Sequence, residues 1–187
     1  NFKNYKKNLS QSDVIIPLAG MVGAPLCNQN PHEAVSINKE NQKKLFKLIS
    51  KNQIILMPTT NSAYGTNTKG ICNENSKLNP VSLYAKCKIA CEEQILSYKS
   101  DYFTRTILRL ATVCGPSPRH RFDLVVNTFA RNAFFDKEIN VHGGNQSRPN
   151  VHVDDVAEGH FLALKYGTWK FCNPFQETEQ TLSLNAW

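Results

Sequence analysis

Short continuous runs of apolar residues alternate along the chain with stretches whose apolar positions repeat every three or four residues. The continuous runs predict buried strands at residues 13–18, 53–57 and 104–110, and shorter strands at 139–142 and 150–153. The periodic stretches predict helices at residues 1–12, 31–50, 80–98 and 122–135, and one capped by Asp154 or Asp155 and running to about Tyr166. Strands that alternate with helices indicate an α/β fold with a doubly wound parallel sheet.

The composition is that of a folded chain whose partners are neither membranes nor nucleic acids. The 187 residues are 41% hydrophobic and 20% charged, and no apolar run approaches the roughly 18 residues that a membrane span requires. The net charge is +7, but 16 of the 22 basic residues are lysines scattered along the chain. The densest basic clusters are only Lys6-Lys7 and Lys43-Lys44, and no arginine-rich stripe or aromatic RNA-binding motif accompanies them.

The six cysteines form no Cys-x-x-Cys pair. Cys87 and Cys91 stand four residues apart without histidine partners at ligand spacing, so we expect no metal site. A chain of this size has no need of disulfides, and buried thiols in a reducing compartment are the simpler interpretation. We therefore expect a cytoplasmic protein.

Tyr84 and Lys88 are the residues that best suggest chemistry. On the helix predicted from residue 80 they project from one face, about 6 Å apart along the axis. Lowering a phenol pKa from near 10 to about 7 requires roughly 4 kcal/mol. An ammonium about 4 to 5 Å away supplies roughly 3 to 4 kcal/mol at an effective dielectric of 20. The pair therefore suits a phenolic acid/base, although the same spacing is also the ordinary neighbour distance on any helix.

A hydroxyl group at the exit of the preceding strand completes this candidate site. We expect Thr60 to face the Tyr84 phenol and to relay its proton to a substrate oxygen, with Ser62 as the competing hydroxyl. The alternative is that the Thr60 hydroxyl bonds only to its own backbone.

Several segments, taken in order, resemble the extended branch of the short-chain dehydrogenase/reductase superfamily, the NAD-dependent nucleotide-sugar epimerases and dehydratases. The segments are residues 14–20, Asn38, residues 57–65, the Tyr84/Lys88 pair, residues 108–116 and residues 148–157. The resemblance implies a Rossmann-type sheet, N-terminally incomplete, with a small substrate-binding portion. It divides the chain into a partial NAD(P)-binding domain, residues 1–115, and a substrate-binding portion, residues 116–187, interleaved with the end of the sheet.

The resemblance also implies roles for particular residues. The catalytic residues would be Thr60, Tyr84 and Lys88. The cofactor-binding residues would be Leu18, Ala19, Gly20, Tyr84 and Lys88. The substrate-binding residues would be Thr60, Asn61, Ser62, Thr112, Asn127 and Arg148, with the Arg148 guanidinium on a diphosphate. Asn38 would brace the site, the alternative being that it only satisfies buried backbone groups; the alternative for Arg148 is a solvated loop residue.

The chain also departs from the family pattern. The Gly-rich dinucleotide loop and the acidic ribose-binding residue are absent, and Gly20-x-x-Gly23 lacks the third glycine and falls at the family's fourth strand. We therefore expect a truncated protein that is inactive alone. Thr112 replaces an asparagine that contacts the sugar nucleotide in many epimerases. Asn61-Ser62 replaces the acidic pair of 4,6-dehydratases, which argues against that reaction.

The function that follows is NAD(P)-dependent epimerisation of a nucleotide-activated sugar through a transient keto intermediate. The alternatives are a reductase or dehydratase of the same branch, or a non-catalytic dinucleotide-binding scaffold. The resemblance implies a nucleotide-sugar substrate and a homodimer formed through the helix that carries Tyr84 and Lys88. Which sugar, which nucleotide and which of NAD and NADP is used are left open by the sequence.

Overall fold

A computed structural model describes residues 2–66, 72–99, 103–144, 148–166 and 181–184. The helices are α1 (Phe2–Ser10), α2 (Ala24–Gln29), α3 (Pro31–Val35), α4 (Asn41–Phe46), α5 (Leu83–Leu96), α6 (Val125–Phe135) and α7 (Val153–Tyr166). The strands are β1 (Val14–Ile15), β2 (Ile54–Thr60), β3 (Thr104–Leu110), β4 (Thr112–Cys114), β5 (Asn150–His152) and β6 (Thr181–Leu184). A π-helical turn (Ser36–Glu40) joins α3 to α4, and a 3₁₀ turn (Asn61–Tyr64) follows β2.

The main sheet has the strand order β1-β2-β3-β6, and all of its strands are parallel. The longest pairing joins all seven residues of β2 to β3, from Ile54 opposite Thr104 to Thr60 opposite Leu110. Strands β4 and β5 form a separate parallel pair. The predicted α/β class with a parallel sheet is therefore confirmed, and β3 has the predicted bounds.

The core lies where helices α1, α4 and α5 cover one side of the main sheet. Its members come from these helices, from β1 to β3 and from the residues that flank them: Leu9, Ile15, Leu45, Phe46, Ile49, Ile55, Met57, Cys91, Ile95, Phe103 and Ile107. The alternate positions Leu56 and Leu108 are also fully buried. Burial of successive residues on both faces explains why these strands read as continuous apolar runs rather than as an alternating pattern.

Strand β1 is shorter than predicted. It pairs with β2 only at Val14 and Ile15, and beyond them Ile16 and Leu18 are 37% and 73% exposed. The chain leaves the sheet at Pro17, which has no N–H to donate to a ladder, and the Leu18 N–H donates to the Ile16 carbonyl 2.9 Å away. The prediction of a buried strand to residue 18 is thus wrong after Ile15.

The predicted strand at residues 139–142 is also wrong. These residues form an exposed irregular segment in which Ile139 is 44% and Val141 60% exposed. Gly143 and Gly144 follow with φ angles of 86° and 88°, a backbone conformation that glycine adopts without strain. An apolar residue at every second position is a weak strand signal when no neighbouring strand is available for pairing.

Helix boundaries differ from the prediction by a few residues. Helix α5 begins at Leu83 because the Ser82 hydroxyl accepts from the Ala85 N–H at 3.2 Å and caps it. Helix α7 begins at Val153, so neither Asp154 nor Asp155 caps it; both lie in its first turn. The Asp154 N–H donates instead to Nδ1 of His152 at 3.3 Å. The helix predicted at 31–50 is α3, the π turn and α4, and α2 was not predicted.

The glycine that follows the 3₁₀ turn offers a stability test. Gly65 has φ = 78°, and a Cβ at this position would overlap the carbonyl oxygen of Asn79. Gly144 has a similar φ of 88°, but a Cβ there would meet nothing within 4 Å. Both substitutions to alanine carry the strain of a positive φ, about 1 kcal/mol, and only Gly65→Ala adds overlap with backbone, for a total of roughly 2–4 kcal/mol.

We expect urea unfolding to show a larger loss of stability for Gly65→Ala than for Gly144→Ala. Equal losses in the two variants would contradict the packing of Asn79 on this turn.

Candidate active site

Thr60 ends β2 and begins the turn that carries the predicted substrate residues. Its side chain is 7% exposed, and Oγ1 accepts from the Ser62 N–H at 3.1 Å, which caps the 3₁₀ turn. The Thr60 hydroxyl oxygen therefore does bond to the local backbone, as the alternative interpretation expected. A hydroxyl has one proton and two lone pairs, so this bond leaves the proton and a lone pair for another partner.

Helix α5 carries Tyr84 and Lys88 one turn apart and packs against both β2 and the 3₁₀ turn. Tyr84 is partly buried, and Lys88 is only 7% exposed. The Lys88 ammonium donates to the carbonyl oxygen of Pro58 at 3.2 Å, two residues before Thr60. This bond joins the predicted catalytic helix directly to the strand that ends in the predicted catalytic hydroxyl.

The surroundings of Tyr84 favour the protonated phenol. Burial raises the pKa of Tyr84 to about 12; the Cys27 thiol adds to the rise, and the Arg121 guanidinium opposes it. Burial likewise lowers the pKa of Lys88. Desolvation outweighs the Arg121 guanidinium, the cation that acts to lower the phenol pKa here. That Lys88 helps to bring the phenol pKa near 7 in the complete site stays a prediction.

Arg121 is the positive charge that the sequence reasoning left without a role. It lies 37 positions beyond Tyr84 in the chain and pairs with Asp123 through two hydrogen bonds, one of them from Nε to Oδ1 at 3.0 Å. A Cβ placed on Gly23 would lie 3.2 Å from Arg121 Nη2, so the guanidinium rests on the loop between β1 and α2. Its place in the predicted substrate-binding portion, residues 116–187, was its signal in the sequence.

The loop that follows β1 is held by a buried asparagine. Asn38 is 1% exposed; its Nδ2 donates to the Met21 carbonyl at 2.8 Å, and its Oδ1 accepts from the Met21 N–H at 2.9 Å. Gln42 adds a longer bond, 3.4 Å, to the carbonyl of Ala19. Asn38 thus satisfies buried backbone groups and, by doing so, fixes the loop that carries the predicted cofactor residues.

The predicted cofactor residues Leu18, Ala19 and Gly20 are all exposed on this loop. A Cβ on Gly20 would lie 3.0 Å from the Asn38 amide oxygen, so a larger residue would fit here only if that amide shifted. Asn38 lies in the π turn, a deformation that is often found at functional sites. The π turn aims its amide at the loop.

The predicted substrate residues lie on several elements. Asn61 and Ser62 share the turn with Thr60, and Ser62 is exposed. Thr112 is half-buried on β4, and its N–H donates to the Pro149 carbonyl at 3.2 Å. Asn127 on α6 uses its amide to donate to the Arg121 carbonyl at 3.2 Å.

Arg148 is exposed, and its carbonyl accepts from the Asn150 amide at 2.9 Å. The described residues thus bring Thr60, Asn61, Ser62 and Lys88 together around the end of β2, and they place Thr112 opposite Asn150, two residues after Arg148, in the β4–β5 pair. The roles given to these residues stay predictions.

The described ranges contain neither a metal-binding cluster nor a membrane-spanning helix. Within them, no group of three or more His, Cys, Asp or Glu side chains is arranged to hold a metal ion. Of the helices that the structure describes, none is both long and apolar enough to cross a membrane.

Comparison with known proteins places this geometry in context. The chain is 30% identical over 159 residues to UDP-glucuronate 4-epimerase 4 of Arabidopsis thaliana, an alignment that covers 80% of this chain and 36% of the relative. The solved structure of UDP-glucuronic acid 4-epimerase from Bacillus cereus, in complex with UDP-glucuronic acid and NAD, superposes with a TM-score of 0.79 at 23% identity, covering 97% of this chain and 56% of that one.

A solved NAD-dependent NDP-hexosamine 5,6-dehydratase, TunA, superposes almost as well. Its TM-score is 0.77 at 21% identity, and the match covers 97% of this chain and 57% of that one. These structural similarities show the fold, which serves more than one reaction. The chain spans between 36% and 55% of the length of the curated relatives it matches.

The family assignment rests on the whole described site rather than on one motif. The family model for the NAD dependent epimerase/dehydratase family matches residues 1–169. This range includes the loop after β1, the strand that ends at Thr60, the helix of Tyr84 and Lys88, and the β4–β5 pair. The chain belongs to the NAD-dependent epimerase/dehydratase family.

Proposed function

We propose that the complete protein epimerises a nucleotide-activated sugar with NAD as cofactor, through a transient keto sugar. The observation that carries the proposal is the placement of Tyr84 and Lys88 on one helix that bonds to the strand ending in Thr60. The UDP-sugar 4-epimerases among the relatives support the choice of reaction.

The residues at this site fit the nicotinamide-ribose end of NAD. An ammonium has three N–H donors, and the bond to Pro58 uses one of them, so Lys88 retains two for ribose hydroxyls. The exposed loop of Leu18, Ala19 and Gly20 follows β1, the strand paired with β2, and two of its three residues are small. NAD, when bound, supplies hydride acceptance and return together with a positively charged ring.

The chain's own groups handle the proton and the sugar oxygen. Tyr84 takes the proton from the sugar hydroxyl as that carbon is oxidised, and returns it when the carbonyl is reduced on its other face. Thr60 uses its remaining hydroxyl proton to hold the sugar oxygen in place. Lys88 favours the ionised form of the phenol.

The raised pKa of Tyr84 determines how far nearby cations must lower it before the phenol can act as a base at neutral pH. A phenol pKa of about 12 lies five units above pH 7, which is roughly 7 kcal/mol. One cation at about 4 to 5 Å contributes roughly 3 to 4 kcal/mol at an effective dielectric of 20. We infer that the phenol needs more than one positive charge, and that Arg121 is one of them.

A reductase of the same family is the second candidate, since the Thr60, Tyr84 and Lys88 set serves either reaction. Elimination of water by the 4,6-dehydratase route is disfavoured, because the 3₁₀ turn presents Asn61 and Ser62 in place of two carboxylates.

The cytoplasmic location, the homodimer through α5 and the domain division after residue 115 stay predictions. The location is supported by Cys27, Cys87, Cys91 and Cys114, which form no disulfide among the described residues.

Removing the phenolic hydroxyl tests the proposal. In the complete protein, Tyr84→Phe should lower turnover of UDP-sugars by about 10²-fold or more while NAD binding is largely kept, because only the proton-transfer group is lost. The matched control is Tyr98→Phe, just beyond the same helix, whose ring packs on Phe103 at a centroid distance of 5.4 Å. Turnover is followed by NMR of the anomeric proton of each sugar epimer.

Equilibration of two epimers without net consumption of cofactor in the unsubstituted protein would support epimerisation. Stoichiometric loss of NADPH would establish the reductase instead, and intact NAD binding without any turnover would establish the scaffold. Unchanged rates in Tyr84→Phe would remove Tyr84 from the mechanism.

The raised pKa of Tyr84 is open to direct titration. In protein labelled with ¹³C at the tyrosine Cζ, we expect the Tyr84 signal to stay protonated above pH 10 and to titrate toward a pKa of about 12. Arg121→Gln should raise that pKa further, and the exposed neighbour Arg119→Gln serves as control. Since the folded pKa lies above the usual value of about 10, stability should be full below pH 10 and decline above it.

Titration of Tyr84 at or below its ordinary pKa would contradict the burial of the phenol. A response to Arg119→Gln as large as that to Arg121→Gln would show a general charge effect rather than the specific placement of Arg121.

A further inference from the structure

A buried ionic cluster lies one helical turn beyond Lys88. The carboxylate of Glu92 on α5 accepts from the Arg109 guanidinium on β3, with Nε to Oε2 at 3.0 Å and Nη2 to Oε2 at 2.7 Å. Arg109 Nη1 donates to the Tyr64 hydroxyl at 3.1 Å, and its guanidinium lies over the Tyr64 ring, 5.3 Å from the centroid. The exposures are 2% for Glu92 and 5% for each of the other two.

Because the cluster is buried, its charged groups must be closely and completely paired. Two charges removed from water are tolerated only where they meet closely and their remaining donors are bonded. The two-pronged contact between Arg109 and Glu92, completed by the Tyr64 hydroxyl, meets that condition. A shift of any one of the three elements would leave a buried charge or hydroxyl without its partner.

Two of the three elements carry the predicted catalytic residues, and the third is the strand that bonds to both. Glu92 lies four residues after Lys88 and eight after Tyr84 on α5. Tyr64 lies four residues after Thr60 and ends the 3₁₀ turn. Arg109, on the strand paired with β2, bonds to both.

We propose that Glu92, Arg109 and Tyr64 form a positioning network that fixes α5 against the Thr60 turn and presents a carboxylate charge to the Lys88 ammonium. The three are positioning residues that act through Lys88 and through the turn. The network deepens the proposed function and rests on it for the roles of Thr60, Tyr84 and Lys88.

Glu92 lies one helical turn from Lys88 and carries the negative charge of a buried ion pair with Arg109. Burial lowers the pKa of Lys88, and Cys91, Glu92 and Cys87 oppose that fall. Burial also raises the pKa of Cys91 to about 11 and that of Cys87 above its usual value, so both are neutral thiols at pH 7. The remaining charges around the two thiols come from the neighbouring helical segment: Lys39, Glu40 and Lys43.

The test measures the pKa of Lys88 directly and needs no turnover. The complete protein is labelled with ¹³C and ¹⁵N in its lysines, the Lys88 signal is assigned with Lys88→Arg, and its titration is followed by NMR. Glu92→Gln keeps the shape and removes the charge, so the Lys88 pKa should fall by about one unit or more. Glu93→Gln, the same change at the next and exposed position, should leave it unmoved.

The conservative variant Glu92→Asp keeps a carboxylate and should hold the Lys88 pKa nearer to that of the unsubstituted protein than Glu92→Gln does. If Glu92→Gln does not fold, Glu92→Gln with Arg109→Met removes both buried charges at once and should also lower the Lys88 pKa. A folded variant without the Glu92 charge and with an unchanged Lys88 pKa would overturn the electrostatic part of the network.

The mechanical part has its own variant. Tyr64→Phe keeps both charges and removes only the hydroxyl that joins the turn to Arg109. We expect an unchanged Lys88 pKa and a thermal midpoint lower by a few degrees. Amide hydrogen exchange at Ser62 and Ala63 should become faster than in the unsubstituted protein, while exchange at the centre of α5 changes less. Equal protection of the turn in both proteins would overturn the tie between the turn and α5.

Because neither measurement involves a sugar or a cofactor, failure of the network and failure of the proposed reaction are distinguishable. An active epimerase with an unmoved Lys88 pKa in Glu92→Gln would refute only the network. A shifted pKa in a protein that turns over no sugar would refute only the reaction.

Discussion

Helix α5 brings two charged side chains, Lys88 and Glu92, into the protein interior, and each needs a partner that water no longer supplies. The sheet provides both: the Pro58 carbonyl of β2 for Lys88 and the Arg109 guanidinium of β3 for Glu92. Since β2 and β3 are paired over seven residues, these two contacts lie at a fixed distance from each other. They therefore set the register of the helix on the sheet, and with it the position of the phenol relative to Thr60.

The loop after β1 is fixed by a different device. Its backbone leaves the sheet after two paired residues, so the Met21 peptide needs side-chain partners, and Asn38 supplies both a donor and an acceptor from the π turn. The Asn38 carbonyl in turn accepts from the Cys91 thiol on α5 at 3.0 Å. The loop and the helix of Tyr84 and Lys88 are thus joined through one buried residue, and a regular helix at this point would aim the amide elsewhere.

Local patterns were enough to predict the parallel sheet, the bounds of β3 and the helix of Tyr84 and Lys88, because burial on both faces and helical periodicity are written in neighbouring residues. Contacts between distant residues were not predictable in this way. Glu92 and Arg109 are 17 positions apart, and each reads as an ordinary surface charge. The predictions of a strand to residue 18 and of a strand at 139–142 were wrong for a related reason. An apolar run does not show whether a neighbouring strand will pair with it.

The burial of Tyr84 has two opposite effects on proton transfer. It raises the phenol pKa to about 12, and it also places the phenol where the dielectric is lower and nearby charges act more strongly. Arg121 acts in this setting, held in place by Asp123 against the loop at Gly23. A phenol of this kind keeps its proton until further positive charge lies beside it. In the proposed mechanism, proton transfer is therefore confined to the complete site, because burial suppresses the phenolate wherever the cations are not yet assembled.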